Sequence, residues 1–204
     1  VISALRLYKG FIKERKKRKM NETLKVIARR YSCRDYLPEL PPEADLRAIA
    51  EAAVQSPSAM NRQPWHIIVV RNPELVAEME AEGMKRLAEM EDKSHYNRIM
   101  ERGGRIFYGA PCIMVIACDA KNWISHTDCG IVCQTISLAA TSLGIANVIC
   151  GLAGLIFSGP EGERFERRLG FPEGYKFGCA VLLGYAKTTK PPHEPDYSKI
   201  SFVD

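Results

Sequence analysis

At 204 residues, 46% hydrophobic and 26% charged, the chain has the composition of one globular domain long enough to bury a substantial core. No run approaches the ~20 apolar residues of a membrane-spanning helix, so no membrane partner is expected. The net charge of +5 is unevenly placed: residues 1–19 carry eight Lys and Arg against Glu14, contributing +7, which leaves −2 on residues 20–204. The basic character belongs to that extension, and the remainder has no electrostatic case for nucleic acid.

Within residues 1–19 the few apolar side chains (Leu5, Leu7, Tyr8, Phe11, Ile12) precede the basic cluster, the reverse of a secretory signal. Three expectations stand for this basic N-terminal extension. It is an upstream addition to a chain that could start at Met20, a short helix lying on a neighbouring subunit, or a membrane-surface anchor. Residues 20–204 are expected to form a single domain.

In chain order, Glu22 to Arg30 reads as a short helix with Leu24, Ile27 and Ala28 inward. A broken stretch, Tyr31-Ser32-Cys33-Arg34-Asp35-Tyr36, leads into a Pro-rich link through Pro42. Glu43 to Gln55 is a second helix, with Leu46, Ile49, Ala50 and Ala53 on one face. Ser56 to Trp65 is a polar loop bracketed by Pro57 and Pro64, which stiffen it. A strand follows from about His66 to Val70. Asn72 caps a helix that has Pro73 in its first turn and runs to about Met90. Residues 91–107 are polar and poorly periodic, expected as a mobile helical segment or lid.

Pro111 to Cys118 is continuously apolar and reads as a central strand. A helix from about Thr127 to Leu143 is apolar nearly all round, hence buried on most sides, and Gly144 ends it. Ala146 to Cys150 is a short strand, followed by the turn Gly151-Leu152-Ala153-Gly154. Pro160 to Leu169 is a helix and Gly178 to Tyr185 a last strand. From Ala186 the prolines make an extended tail. This order predicts an α+β or α/β sandwich.

The seven cysteines are an odd number without any Cys-x-x-Cys. Cys129 and Cys133 have helical spacing, but no His or Cys pair near them in sequence completes a zinc set. They read as buried free thiols in a reducing cytoplasm. Neither a Gly-x-Ser-x-Gly elbow nor a compelling Ser/His/Asp set is present among the four scattered histidines.

Three stretches carry chemistry. In Arg30-x-Ser32-x-Arg34, two guanidiniums and a hydroxyl follow a helix end, a fork that suits a phosphate; the same residues suit a basic helix terminus complementing its dipole. Arg29 is expected to lie off that surface. Ser58, Asn61 and Gln63 put hydroxyl and amide groups on the stiff loop, either for a planar ligand or to satisfy the loop's own backbone. The glycines of 151–154 allow close backbone approach to a ligand, or simply a strand-to-loop turn. That turn is neither a Walker loop nor a dinucleotide fingerprint. Asp128 reads as a first-turn acid favoured by the helix dipole.

The order of these stretches, with Ala110-Pro111 opening the apolar strand and Leu138-Ala139-Ala140-x-x-Leu143-Gly144-Ile145 before the glycine turn, resembles the FMN-dependent nitroreductase family from about Leu24 to Tyr185. The resemblance implies an α/β sandwich with a central, mostly antiparallel sheet flanked by helices. It also implies an intertwined homodimer with two FMN sites, each built from both subunits. Arg30, Ser32 and Arg34 would then hold the phosphate and ribityl chain, with the Tyr31 backbone close by. Pro57, Ser58, Ala59 and Asn61 would come from the partner subunit to the flavin rim, Met60 near the ring and Gln63 at the site or bracing the loop. Ile149, Cys150, Gly151 and Leu152 would pass the flavin edge, and residues 84–107 would form a lid over the substrate side.

Lys187 and Lys190 are the candidates for the family's basic pair after the last strand. The implied activity is an FMN-dependent oxidoreductase passing electrons from NAD(P)H to a small-molecule electron acceptor, such as a nitroaromatic or quinone, by a ping-pong route. No protein nucleophile is needed, because the flavin carries the chemistry. A flavin-binding storage or sensing protein without turnover is the alternative, and a dehalogenating relative of the same fold is a further one.

Overall fold

The computed structural model describes residues 20–203; the expectations for residues 1–19 lie outside the described residues. Seven helices and four strands follow one another as α1 (Glu22–Arg29), α2 (Glu43–Val54), β1 (Trp65–Val70), α3 (Pro73–Glu89), α4 (Ser94–Met100), β2 (Cys112–Asp119), α5 (Ser125–Ser142), β3 (Ala146–Ile149), α6 (Gly154–Phe157), α7 (Gly162–Leu169) and β4 (Tyr175–Gly184) among the described residues. The four strands form one sheet, ordered β1-β2-β4-β3 and antiparallel at every pairing.

Side-chain alternation along β2 divides the core in two. Cys112, Met114, Ile116 and Cys118 pack with Leu46, Ile49 and Ala53 of α2 and Val132 and Ile136 of α5. Ile113 and Val115 face the opposite layer, with Met79 and Leu87 of α3, Ile99 of α4, Ile156 of α6 and Phe165 of α7. β2 is therefore covered on both faces from Cys112 to Cys118, which is why its sequence is apolar without alternation. β4 begins at Tyr175, three residues before the sequence expectation, and runs on through a bulge opposite Ile116 and Ala117. Those two residues pair with Cys179 and Phe177, leaving Gly178 as the extra residue. A Cβ on Gly178 would stand 2.9 Å from Cys129 Sγ and 3.1 Å from the Ile116 carbonyl.

Two expectations are corrected. No residue of α1 is buried, and Leu24 and Ile27 are exposed rather than inward, since among the described residues α1 packs chiefly on α5. The segment 91–107 is helical as expected, over α4, but it is not free of the body: Ile99, Ile106 and Phe107 belong to the core. Gly83 makes this possible, because a Cβ there would stand 2.2 Å from Ile106 Cδ1. The carboxylate of Glu80 fastens the end of the segment by accepting from the Phe107 N–H at 3.2 Å.

Candidate functional site

The stretch after α1 is extended and runs beside the free edge of β3. The Cys33 N–H donates to the Asn147 carbonyl at 3.0 Å and Ser32 bridges Asn147 in parallel fashion. Further on, Leu37 N–H donates to Tyr185 O at 2.9 Å, and Lys187 N–H to Asp35 O at 3.0 Å. These bonds bring Arg30, Tyr31, Ser32 and Arg34 to β3 and its following turn, and bring Lys187 to the same corner. Burial pushes the Cys33 thiol up, hydrogen bonds with the Asp35 backbone and Tyr36 oppose it, and the Lys190 ammonium opposes it least, so Lys190 is also within electrostatic reach. Arg29 is not set apart as expected: it borders the same groove as Arg30 and Tyr31, and its guanidinium donates to the Thr141 carbonyl at 3.2 Å, at the end of α5.

Beneath the fork, Tyr31 and Leu152 pack on the core formed by Cys33, Tyr36 and Cys150. Tyr36 is buried, its hydroxyl donating to the Leu182 carbonyl at 3.4 Å. Burial holds its phenol well above the ordinary range, so it is a structural post between fork and turn. Sequence reading missed this role, and nothing in the local pattern signals it. Burial likewise raises Cys150 to about 11, the N–H groups of Ala153 and Leu152 pulling the other way.

Three observations test whether this corner suits an anionic, ring-bearing ligand. None of Arg30, Arg34, Lys187 and Lys190 has a carboxylate partner among the described residues. Gly151 is exposed, is not left-handed, and a Cβ there would meet nothing within 4 Å. The chain's own packing therefore does not require glycine at this point, whereas close approach by an outside molecule would. Its N–H has no acceptor among the described residues. Beside the fork, Arg30 and Tyr31 border an open groove of about 710 Å³ shared with residues 143–147, Tyr185 and Thr189. Unpaired cations, a hydroxyl and a free N–H are the donor chemistry that a phosphate and a polar ring edge require.

The loop from Ser56 to Trp65 is built differently. Ala59–Asn61 is a single 3₁₀ turn, and Met60, Asn61 and Gln63 have φ of 54°, 53° and 48°. Left-handed backbone without glycine costs about 1–3 kcal/mol at each position and persists only where the surroundings impose it. The loop closes on itself through Gln63 N–H to Ser58 Oγ at 2.9 Å and Gln63 Nε2 to Asn61 Oδ1 at 3.2 Å. It is tied to α5 by Ser56 Oγ to Thr135 Oγ1 at 2.8 Å and by the Ala59 N–H to Asp128 Oδ1 at 3.4 Å. Pro57, Ser58 and Ala59 thus lie against the first half of α5, with Met60 standing 84% exposed.

The structure does not bring this loop to the fork of its own chain. The loop tip touches α5 at Asp128, while Arg29, beside the fork, touches it at Thr141. Thirteen helical residues separate the two points, roughly 20 Å.

Four cysteines distant in sequence meet behind the loop, which the spacing of Cys129 and Cys133 alone did not disclose. Cys129 interacts with Cys118 and Cys133 with Cys179, which raises the first thiol of each pair and lowers the second. Among the described residues no group of three or more His, Cys, Asp or Glu could hold a metal ion.

Known proteins share this fold. A nitroreductase with bound FMN from Desulfitobacterium hafniense DCB-2 is 64% identical and superposes with a TM-score of 0.89, over 91% of this chain and 100% of that one. A second nitroreductase with bound FMN, from Bacteroides fragilis, is 31% identical with a TM-score of 0.81, over 91% and 100%. A protein of Archaeoglobus fulgidus named as an NADH dehydrogenase/NAD(P)H nitroreductase is 32% identical over 187 residues, 87% of this chain and 92% of its own. The Nitroreductase family model matches residues 27–185, from the helix before the fork to the end of β4, and the chain belongs to the nitroreductase family.

Proposed function

We infer that the protein is an FMN-dependent oxidoreductase that takes electrons from NAD(P)H and passes them to electron-poor small molecules such as nitroaromatics or quinones. The observation that carries this reading is the unpaired fork of Arg30, Ser32 and Arg34, hydrogen-bonded through Cys33 to the strand that delivers the open Gly151 turn. FMN supplies the hydride and electron chemistry when bound. The chain's part is to hold it. Arg30 and Arg34 would bind the phosphate, aided by Ser32 and by Lys187 or Lys190, and the Gly151 N–H would face the ring edge, with Ile149, Cys150 and Leu152 alongside. FMN bound in the 64% identical neighbour supports the cofactor assignment, and the name of the archaeal relative supports the nicotinamide donor.

The working unit of this proposal is a homodimer in which Pro57, Ser58, Ala59, Met60, Asn61 and Gln63 complete the partner's site. The separation of loop and fork within one chain supports it. So do exposed apolar side chains on three neighbouring elements: Leu24 and Ile27 of α1, Val54 of α2 and Ile131 of α5. Gly130 adds to this. It lies on the exposed side of a regular helix with nothing within 4 Å of a Cβ, although glycine inside a helix costs about 1 kcal/mol relative to alanine. A closely crossing second helix would use that gap.

Purified protein should be yellow, with close to one FMN per chain. Free FMN at ~100 times its Kd should stabilise the fold by about 2.7 kcal/mol. Steady-state oxidation of NAD(P)H with menadione or a nitrofuran tests turnover. Colourless protein that gains no thermal stability from FMN would refute the cofactor, and tightly bound FMN without turnover would leave a flavin carrier rather than a reductase.

A further inference from the structure

The tip of the rim loop holds left-handed backbone at Met60, Asn61 and Gln63, and most of its hydrogen bonds close the loop on itself. Asn61 N–H donates to the Ser58 carbonyl at 3.0 Å and Arg62 N–H to the Ala59 carbonyl at 3.1 Å, in addition to the Ser58 and Gln63 side-chain bonds. Such bonds shape the loop without fixing where it stands. At its two ends it is anchored by Ser56 to Thr135 and by the Asp119 N–H to the Pro64 carbonyl at 3.0 Å. Between those ends, the hydrogen bond from the tip to the body of the described chain is the one from the Ala59 N–H to Asp128.

Asp128 is an unusual residue to find there. It lies in the first turn of α5, only 3% exposed, and is the one buried carboxylate among the described residues, the other buried polar side chains being serines and Asn147. One carboxylate oxygen accepts from Ala59, while the other is buried without a hydrogen-bond partner. An unpaired buried oxygen is unfavourable for folding, so burial alone would favour an apolar residue. The α5 N-terminus offsets part of the charge but accounts for neither the contact nor its direction. At 3.4 Å the bond is long, but its acceptor is a carboxylate held in place by burial, so it fixes the direction in which the Ala59 N–H points. Here it meets the residue immediately before the first left-handed position.

We propose that Asp128 is a positioning residue for the flavin site. By holding the Ala59 N–H from the start of α5, its buried carboxylate sets the pose in which Ser58, Met60 and Asn61 are presented to the partner's cofactor. The inference rests on the FMN reading above. Asp128 itself touches neither cofactor nor substrate; its effect passes through the loop.

The test compares purified holoenzyme carrying Asp128→Ala with the wild type and Asp128→Asn, which keeps an acceptor oxygen of the same reach. Asp128→Ala should release FMN about tenfold more readily and change the visible circular dichroism of the bound flavin. It should also raise the KM for menadione more than it lowers kcat, while far-ultraviolet circular dichroism stays unchanged. Asp128→Asn should recover most of each loss. Ala59→Pro is the second variant: it deletes the donor and leaves Asp128 in place, and the extended backbone of Ser58 (φ −140°, ψ 159°) suits a residue before proline. It should reproduce the Asp128→Ala effects even where Asp128→Ala itself fails to fold.

Wild-type flavin retention and spectra in both Asp128→Ala and Ala59→Pro overturn the proposal, as does Asp128→Asn being as impaired as Asp128→Ala. Wild-type protein that holds no FMN at all overturns the functional reading beneath it, a separate and recognisable result.

Discussion

Glu80 shows how one side chain can serve packing against its own charge. It sits on α3, partly buried, with both oxygens directed at the Phe107 N–H, at 3.2 and 3.3 Å. Burial pushes its carboxyl up, and the N–H groups of Phe107 and Ile106 and the Arg105 charge only partly oppose this. The folded chain therefore binds this proton more tightly than the unfolded chain does. The stability it contributes is fully present below the unfolded carboxyl value near 4.5 and is lost as pH rises through the higher folded value. Glu80→Gln removes the titration, so its melting temperature relative to the wild type should climb between about pH 4.5 and neutrality. Differential scanning fluorimetry across that range checks the sign, and a constant offset would contradict it. At this scale the sequence disclosed residue types more readily than their roles. Ser58, Asn61 and Gln63 stood out as polar groups on a stiff loop, but its left-handed backbone did not: Asn61 tolerates that conformation, whereas Met60 and Gln63 do not favour it. Asp128 read as a helix-start acid; its grip on Ala59 spans 69 positions, beyond any local pattern.

Elements were legible where periodicity reports burial directly. β2, α2 and the capped start of α3 follow from an apolar run, a 3.6-residue repeat and the Asn72-Pro73 pair, and Asn72 Oδ1 does accept from Leu75 N–H at 2.8 Å. Reading failed where burial depends on a distant neighbour. α1 has an apolar face that its own chain leaves exposed, and Ile106 and Phe107 looked like part of a polar stretch until Gly83 made room for them. The bulge in β4 is a case of the same kind, since Gly178 has meaning only against Ile116 and the thiols of Cys118 and Cys129. Gly178→Ala would force a methyl group against a sulfur at 2.9 Å and a carbonyl at 3.1 Å. The expected loss is about 1–3 kcal/mol, as for other overpacked sites. Urea unfolding should show a lower midpoint with unchanged slope; a midpoint equal to the wild type would mean that the bulge relaxes without cost.

For the whole molecule, the order of fork, loop, apolar strand and glycine turn carried the family assignment, and the antiparallel sheet with helices on both faces agrees with it. What one chain in linear order cannot display is that two of these motifs, 24 positions apart from Arg34 to Ser58, end on different parts of a single helix. That separation has a genetic consequence. In the proposed dimer each site borrows its rim from the neighbour, so two defective subunits can repair one another. Arg34→Ala alone and Asn61→Ala alone should each give dimers with both sites damaged. Unfolded together and refolded, they should yield mixed dimers with one undamaged site, restoring activity in about one quarter of all sites. If each chain completed its own site, mixing would restore none.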